Sequence, residues 1–229
     1  MNDFKIKDGD GLGIRALDRS LSRSDLVYST LLEAIRKGEI KPGERVTEEE
    51  IAQKLSVSRT PVRAALQSLQ ARRLIVTAPG RGLMVAELDT QQVLELYAMR
   101  AVLEGAAARF AAQHASEGEI AYLEQLVNEF AETGSSPASL AKLNVRFHQT
   151  IYAASRNRYV QEALNNFEDA LSLLQSTTFS LPERQAAAYA EHGEIVSAIA
   201  LHDSEAAERA ARHHIGEAQK ARIRIMLER

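Results

Sequence analysis

The chain has 229 residues, no cysteine and a formal net charge of −3; 45% of it is hydrophobic and 26% charged. That composition supports apolar cores in one large or two modest domains, and zero cysteines exclude disulfides and thiolate metal sites and suit a reducing compartment. No apolar run approaches the roughly 20 residues that span a bilayer, and "MNDFKIKDGDGLGIRALDRS" lacks the apolar stretch of a secretory signal, so a cytoplasmic protein without a membrane partner is expected.

Residues 1–24 are polar and rich in Gly and Asp, which reads as a mobile N-terminal arm. Charge is unevenly spread after it. Residues 1–86 carry 15 Lys+Arg against 11 Asp+Glu, a balance of +4, whereas residues 87–229 stand at −7. Residues 51–86 hold Lys54, Arg59, Arg63, Arg72, Arg73 and Arg81 with no acid. Such a local excess attracts polyanions although the whole chain is acidic; a solvated basic face would give the same count.

The stretch "DLVYSTLLEAIRKGEIKPGERV" predicts a helix with Val27, Leu31 and Ile35 on one face, stopped by Gly38 and the Pro42-Gly43 turn. Thr47 and Glu50 then frame "TEEEIAQKL" as a capping box, with three glutamates at the positive end of the helix dipole. After "SVS", Ser58 is positioned to cap a third helix. Pro61 falls in that helix's first turn, where its missing N–H leaves no bond unmade, and Val62, Ala65, Leu66 and Leu69 face inward. Two short helices joined by a tight turn make a helix-turn-helix. Two β-prone runs, 74–77 and 83–86, flank Pro79-Gly80-Arg81-Gly82 and predict a hairpin wing with a basic tip. The start of the third helix would thus offer backbone N–H groups, the hydroxyls of Ser58 and Thr60 and the cations Arg59 and Arg63 to phosphates and base edges.

This region resembles the DNA-binding domain of GntR-family bacterial transcription regulators, through "G-x-I-K-P-G-x-x-V", "V-S-R-T-P-V-R-x-A-L" and the wing "G-R-G". The resemblance implies that Arg59 and Thr60 reach base edges or adjacent phosphates, Ser58 and Arg63 grip the backbone, and Gly80 with Arg81 follows the minor groove; Thr47 and Arg73 complete the candidate DNA-binding set. Two residues depart from the pattern. Glu49 stands where relatives commonly carry an arginine that contacts DNA, and Arg73 where a glycine is usual before the wing.

From Asp89 the pattern is helical, with breaks that divide it into six helices over 90–113, 117–132, 138–154, 158–176, 183–201 and 204–227. Polar residues interrupt three inward stripes. Asn144 and His148 share the stripe of Leu140, Leu143, Phe147 and Ile151; His192 lies between Tyr189 and Ile195/Ile199; His214 falls in the series Ala207, Ala211, Ala218. Each could be a core histidine bonded to backbone. Together they suggest convergence on one divalent cation, zinc or nickel, in an open site. Arg100 also sits on an apolar stripe, beside Leu96/Tyr97 and Leu103, so its guanidinium requires an anion. Glu104 at i+4 is one partner; a ligand carboxylate held bidentately is the other.

Here the chain resembles the FCD ligand-binding domain of the FadR-like branch, an all-α bundle, with a helix count like the VanR-type subgroup. Metal-binding members show "D-x-x-x-H", then two histidines 22 residues apart; this chain has Asn144 and His148, then His192 and His214. Asn144 replaces the usual aspartate and brings no charge, so a weaker or differently selective site is implied. The resemblance further implies a small organic acid as effector, held by Tyr97, Arg100 and Glu104.

The expected fold is therefore mainly α, with a winged helix-turn-helix over 25–87 and an antiparallel helical bundle over 88–229. The expected function is a non-enzymatic transcription regulator, acting as a repressor and controlled by a small carboxylate at a metal-containing pocket. One recognition helix covers only a few base pairs, so a homodimer on a near-palindromic operator in double-stranded DNA follows. A direct metal sensor is one alternative. A metal-dependent hydrolase using Glu191 or Glu194 is the other, although both glutamates read as lying off the inward stripe.

Overall fold

A computed structural model of the chain describes residues 22–131, 136–174 and 176–228. Residues 1–21 of the expected arm lie outside them. The first helix, α1 (Arg23–Arg36), begins two residues inside that expected arm because Ser22 caps it. The Ser22 hydroxyl accepts from Asp25 N–H, and the Asp25 carboxylate returns a bond to Ser22 N–H, both at 3.2 Å. Gly38 follows at a φ of +70°, the left-handed turn that ends many helices.

The chain then forms β1 (Arg45–Val46), α2 (Glu48–Lys54), α3 (Arg59–Ala71), β2 (Ile75–Ala78) and β3 (Gly82–Val85). The hairpin is as expected within a residue. β1 is new, and it sits on the far side of β3 in a three-stranded antiparallel sheet ordered β1-β3-β2. Two residues are too short a run for any periodic signal, so only pairing with Leu83 and Met84 reveals the strand. Thr47 caps α2 by accepting from Glu50 N–H. Ser58 occupies the cap position of α3, but its hydroxyl makes no capping bond.

Among the described residues, 22–88 form one compact unit together with 168–174. Its core joins Val27, Leu31 and Ile35 of α1 to Val62, Leu66 and Leu69 of α3, to Leu74, Ile75 and Val85 of the wing, and to Leu173. Within the same unit Asp169 is buried and accepts from Arg36 at 2.5 Å and Arg72 at 2.8 Å. Division of the sequence at residue 88 had assigned 168–175 to the helical region.

The second unit takes the described residues of 89–167 and 176–228. It contains α4 (Thr90–His114), α5 (Glu117–Phe130), α6 (Pro137–Ala154), most of α7 (Arg158–Ser172), α8 (Arg184–Ala200) and α9 (Ser204–Leu227). α7 stops four residues short of the expected 176. Leu173 and Leu174 turn out of it with bonds to carbonyls three residues back, and Thr177 caps a separate 3₁₀ turn over Thr178–Ser180 by accepting from Phe179 N–H. α9 packs along α4 and α8. Alanines 107, 108, 111, 207 and 211 are almost wholly buried, which lets α4 and α9 approach closely.

Gly43 is the turn residue that backbone geometry requires. Its φ is +74°, its N–H donates to Val85 C=O at 2.9 Å, and an added Cβ would lie 2.5 Å from Glu87 Oε1. Gly43→Ala should lower stability by about 1–2 kcal/mol through left-handed strain, read as a lower midpoint in denaturant with an unchanged slope.

Candidate functional site

Two sets of residues were expected to carry function, and each lies in its own unit. In the first, α3 is sharply two-sided. Pro61, Val62, Ala65, Leu66 and Leu69 are buried, whereas Ser58, Arg59, Thr60 and Arg63 are exposed. Arg73, Gly80 and Arg81 are exposed as well, and Thr47 is half-buried beneath its cap. Gly80 and Gly82 both have positive φ, which forms the three-residue tip that carries Arg81. Arg73 holds a φ of +58°, so the arginine found in place of a glycine sits in a conformation glycine prefers.

The cations of α3 are not bare. Arg63 donates from Nε and Nη2 to both oxygens of Glu48, at 2.8 and 2.9 Å, and Arg59 Nη2 donates to Glu49 Oε1 at 3.0 Å. The Arg63 bond holds the Glu48 carboxyl below the usual carboxylate range. The helix-dipole role expected for the first turn of α2 does not reveal these pairs, because they join residues of two different helices, ten and fifteen positions apart in sequence.

In the second unit, His148 of α6, His192 of α8 and His214 of α9 converge. Their exposures are 4%, 0% and 2%, and one ring nitrogen of each lies within 4.8 Å of the others. His148 Nδ1 is 2.8 Å from Glu104 Oε2, and His214 Nδ1 is 2.6 Å from Glu191 Oε2. Each Nδ1 therefore carries the proton donated to its carboxylate, and each Nε2 turns a lone pair inward. His214 Nε2 lies 3.2 Å from His148 Nε2 and 3.3 Å from His192 Nε2. Facing lone pairs repel unless a cation lies among them, and tetrahedral N–metal bonds of about 2.0–2.1 Å place ligand nitrogens about 3.3–3.4 Å apart. The donor set fits a zinc-like ion. Asn144, half-buried, lies one turn before His148.

His192 is oriented differently. Its ring stacks on Phe147 at 4.0 Å and meets the edge of Phe130 at 4.8 Å. Among the described residues its buried Nδ1 has no hydrogen-bond partner. Burial, with His214 and His148 close by, pushes the His192 pKa well below its ordinary value, and burial and His148 do the same to His214. Both stay neutral, which ligation requires.

The carboxylates tie this centre to the other candidates. Glu104 accepts from Arg100 at 2.8 Å, from Tyr152 OH at 2.8 Å and from His148. Burial alone would raise its pKa, but His148 and Arg100 with these bonds hold it well below the carboxylate range. Tyr97 lies under the Arg100 guanidinium, 5.2 Å from the ring centre. The internal ion pair expected as one partner for Arg100 is thus formed.

Glu191 corrects the sequence reading: it is buried, not off the inward stripe, whereas Glu194 is exposed. Both Glu191 oxygens are engaged, by Arg184 at 2.6 and 2.7 Å and by His214. Arg184 and Tyr152 were missed as well. Arg184 shares the stripe of Ala188, His192 and Ile195, and that was its available signal.

Residues 23–85 match the model of bacterial regulatory proteins of the gntR family, and residues 95–217 match the FCD domain. The chain belongs to the GntR family of transcriptional regulators. It is 30% identical to a probable D-xylose utilization operon transcriptional repressor of Paenarthrobacter nicotinovorans, over 87% of this chain and 90% of that one. The galactonate operon transcriptional repressor of Escherichia coli (strain K12) is 28% identical over 84% of this chain and 93% of its own. The solved structure of E. coli McbR/YncC shares the fold, with a TM-score of 0.73 at 23% identity, covering 91% and 98% of the two chains. GntR-family proteins bind DNA, and no helix among the described residues is long and apolar enough to cross a membrane.

Glu104→Leu should cost about 3–5 kcal/mol, because it leaves Arg100 charged and buried without its partner. Urea unfolding of the variant beside the wild type measures this.

Proposed function

We propose that the protein is a homodimeric repressor that reads a near-palindromic operator with α3 and the wing. In this reading its DNA affinity is set by a small carboxylate that binds at a metal held by His148, His192 and His214. One observation carries the DNA-reading part: the buried side of α3 anchors it in a packed core while Ser58, Arg59, Thr60 and Arg63 stay exposed, as does Arg81 at the wing tip. Two-fold pairing follows from the short reach of a single recognition helix. The relatives named as operon repressors favour repression over activation.

The effector part rests on the histidine centre and on what surrounds it. When bound, the metal supplies a Lewis-acid anchor for a carboxylate. Arg100 is the cation suited to the same carboxylate, provided that Glu104 yields it. Glu104 fixes the ring of His148 and Glu191 that of His214, so both carboxylates orient the metal-binding nitrogens. A galactonate relative is named for a sugar acid, in keeping with an acidic effector. The bound acid shifts the population of protein states with different operator affinity.

A second reading, in which the metal itself is the signal, is favoured by how little of His148, His192 and His214 reaches the surface. Addition of chelator without any acid separates the two: operator affinity changes only if the metal is the signal.

Arg59→Ala should weaken operator binding by about 1–3 kcal/mol and relax preference at its base contact; a gel-shift series matching wild type would place recognition elsewhere. His192→Ala should abolish bound metal, measured by elemental analysis, and the rise in thermal midpoint that zinc or nickel gives the wild type. Operator binding by the ligand-free protein should persist. A wild type without metal and without that rise rejects the site.

A further inference from the structure

Arg59 is the first residue of α3 and Glu49 lies in the first turn of α2, yet their side chains meet at 3.0 Å. Both stand in water, 61% and 73% exposed. An ion pair that exposed adds at most about 1 kcal/mol to stability, and often nothing. Fold stability therefore does not account for a carboxylate at the cationic mouth of the recognition helix. Its neighbour differs: Glu48 is 29% exposed and takes Arg63 through both oxygens, which fixes where that guanidinium points. Glu49 uses one oxygen in this pair, on a surface where a carboxylate repels DNA phosphate.

A base edge, unlike a phosphate, suits it. Across the major groove a G·C pair presents acceptor, acceptor and donor in a row: guanine N7, guanine O6 and the cytosine 4-amino group. A guanidinium beside a carboxylate presents the complement, donors followed by an acceptor. The spacing agrees too. Guanine O6 and cytosine N4 are joined by a base-pairing hydrogen bond and so lie about 2.9 Å apart, and the Arg59–Glu49 pair has its donor and acceptor 3.0 Å apart. An A·T pair presents acceptor, donor, acceptor instead and mismatches at two places.

We propose that Arg59 and Glu49 read one G·C base pair of the operator as a unit, with the guanidinium donating to guanine and the Glu49 carboxylate accepting from the cytosine 4-amino group. Glu49 is then a specificity-determining residue. Where no cytosine amino group is offered, its charge meets the DNA unfavourably, so affinity for unrelated sequence falls. This rests on α3 being the recognition helix.

The test starts by selecting an operator from a randomised duplex pool with the full-length wild type. Affinities of wild type, Glu49→Ala and Glu49→Gln are then measured at one salt concentration. The duplexes are the selected sequence, versions changed at each position, and a random-sequence control. At one G·C pair per half-site, replacement should weaken the wild type about 30-fold and Glu49→Ala only about 5-fold, the share that Arg59 alone takes from guanine. The random control should bind Glu49→Ala several-fold more tightly than wild type. Glu49→Gln, which keeps an acceptor oxygen without the charge, should retain part of the discrimination, and thermal midpoints of both variants should match wild type. A uniform change at every position would overturn the proposal by reducing Glu49 to general repulsion, and unchanged discrimination would overturn it outright. A wild type that enriches no sequence would instead overturn the recognition-helix reading, and this one with it.

Discussion

A carboxylate can enter an apolar interior only if donors replace the water it leaves, and two such exchanges organise the helical unit. Glu104 is received by Arg100, Tyr152 and His148, and Glu191 by Arg184 and His214. Each acid thereby does two things at once. It neutralises a buried arginine, and it accepts a hydrogen bond from the Nδ1–H of a histidine, so that the opposite ring nitrogen must face the centre. His192 completes the centre by stacking on Phe147 with the edge of Phe130 against it. The arrangement of the three histidines is thus a consequence of charge burial several ångströms away, and loss of a carboxylate disturbs packing and the orientation of those rings together.

The DNA-reading unit follows a different rule. There the charges stay in water and the apolar residues do the anchoring. Val62, Leu66 and Leu69 fix α3 against α1 and the wing, which leaves the opposite face to carry exposed arginines without a desolvation cost. Glu48 and Glu49 then act within that solvated layer. They add little to stability and change the pattern of donors and acceptors on that exposed face.

The sequence and the structure agree most closely where a signal is local. The Thr47 cap, the left-handed Gly38 and the Gly80/Gly82 tip were legible because capping and turn chemistry act over three or four residues, whereas the Ser22 cap lay hidden in a polar run read as an arm. His148, His192 and His214 were legible because a polar residue on an apolar stripe stands out at helical period. β1 was not, since its only cause is a neighbouring strand, and the end of α7 was misplaced because Leu173 and Leu174 are apolar enough to extend the pattern after the helix has stopped.

Periodicity, in short, reports which side of a helix is buried and says nothing about what that side will meet. The order of the helices, the two-sided α3, the basic wing and the three inward histidines were all determined by the sequence, through spacing along one chain. Tertiary structure alone decided that Glu191 meets His214, that Tyr152 and His148 join Glu104, that Glu49 reaches Arg59, and that Asp169 joins the first unit through Arg36 and Arg72. Each of these depends on two side chains brought within about 3 Å by the packing of elements, a distance that residue spacing does not encode.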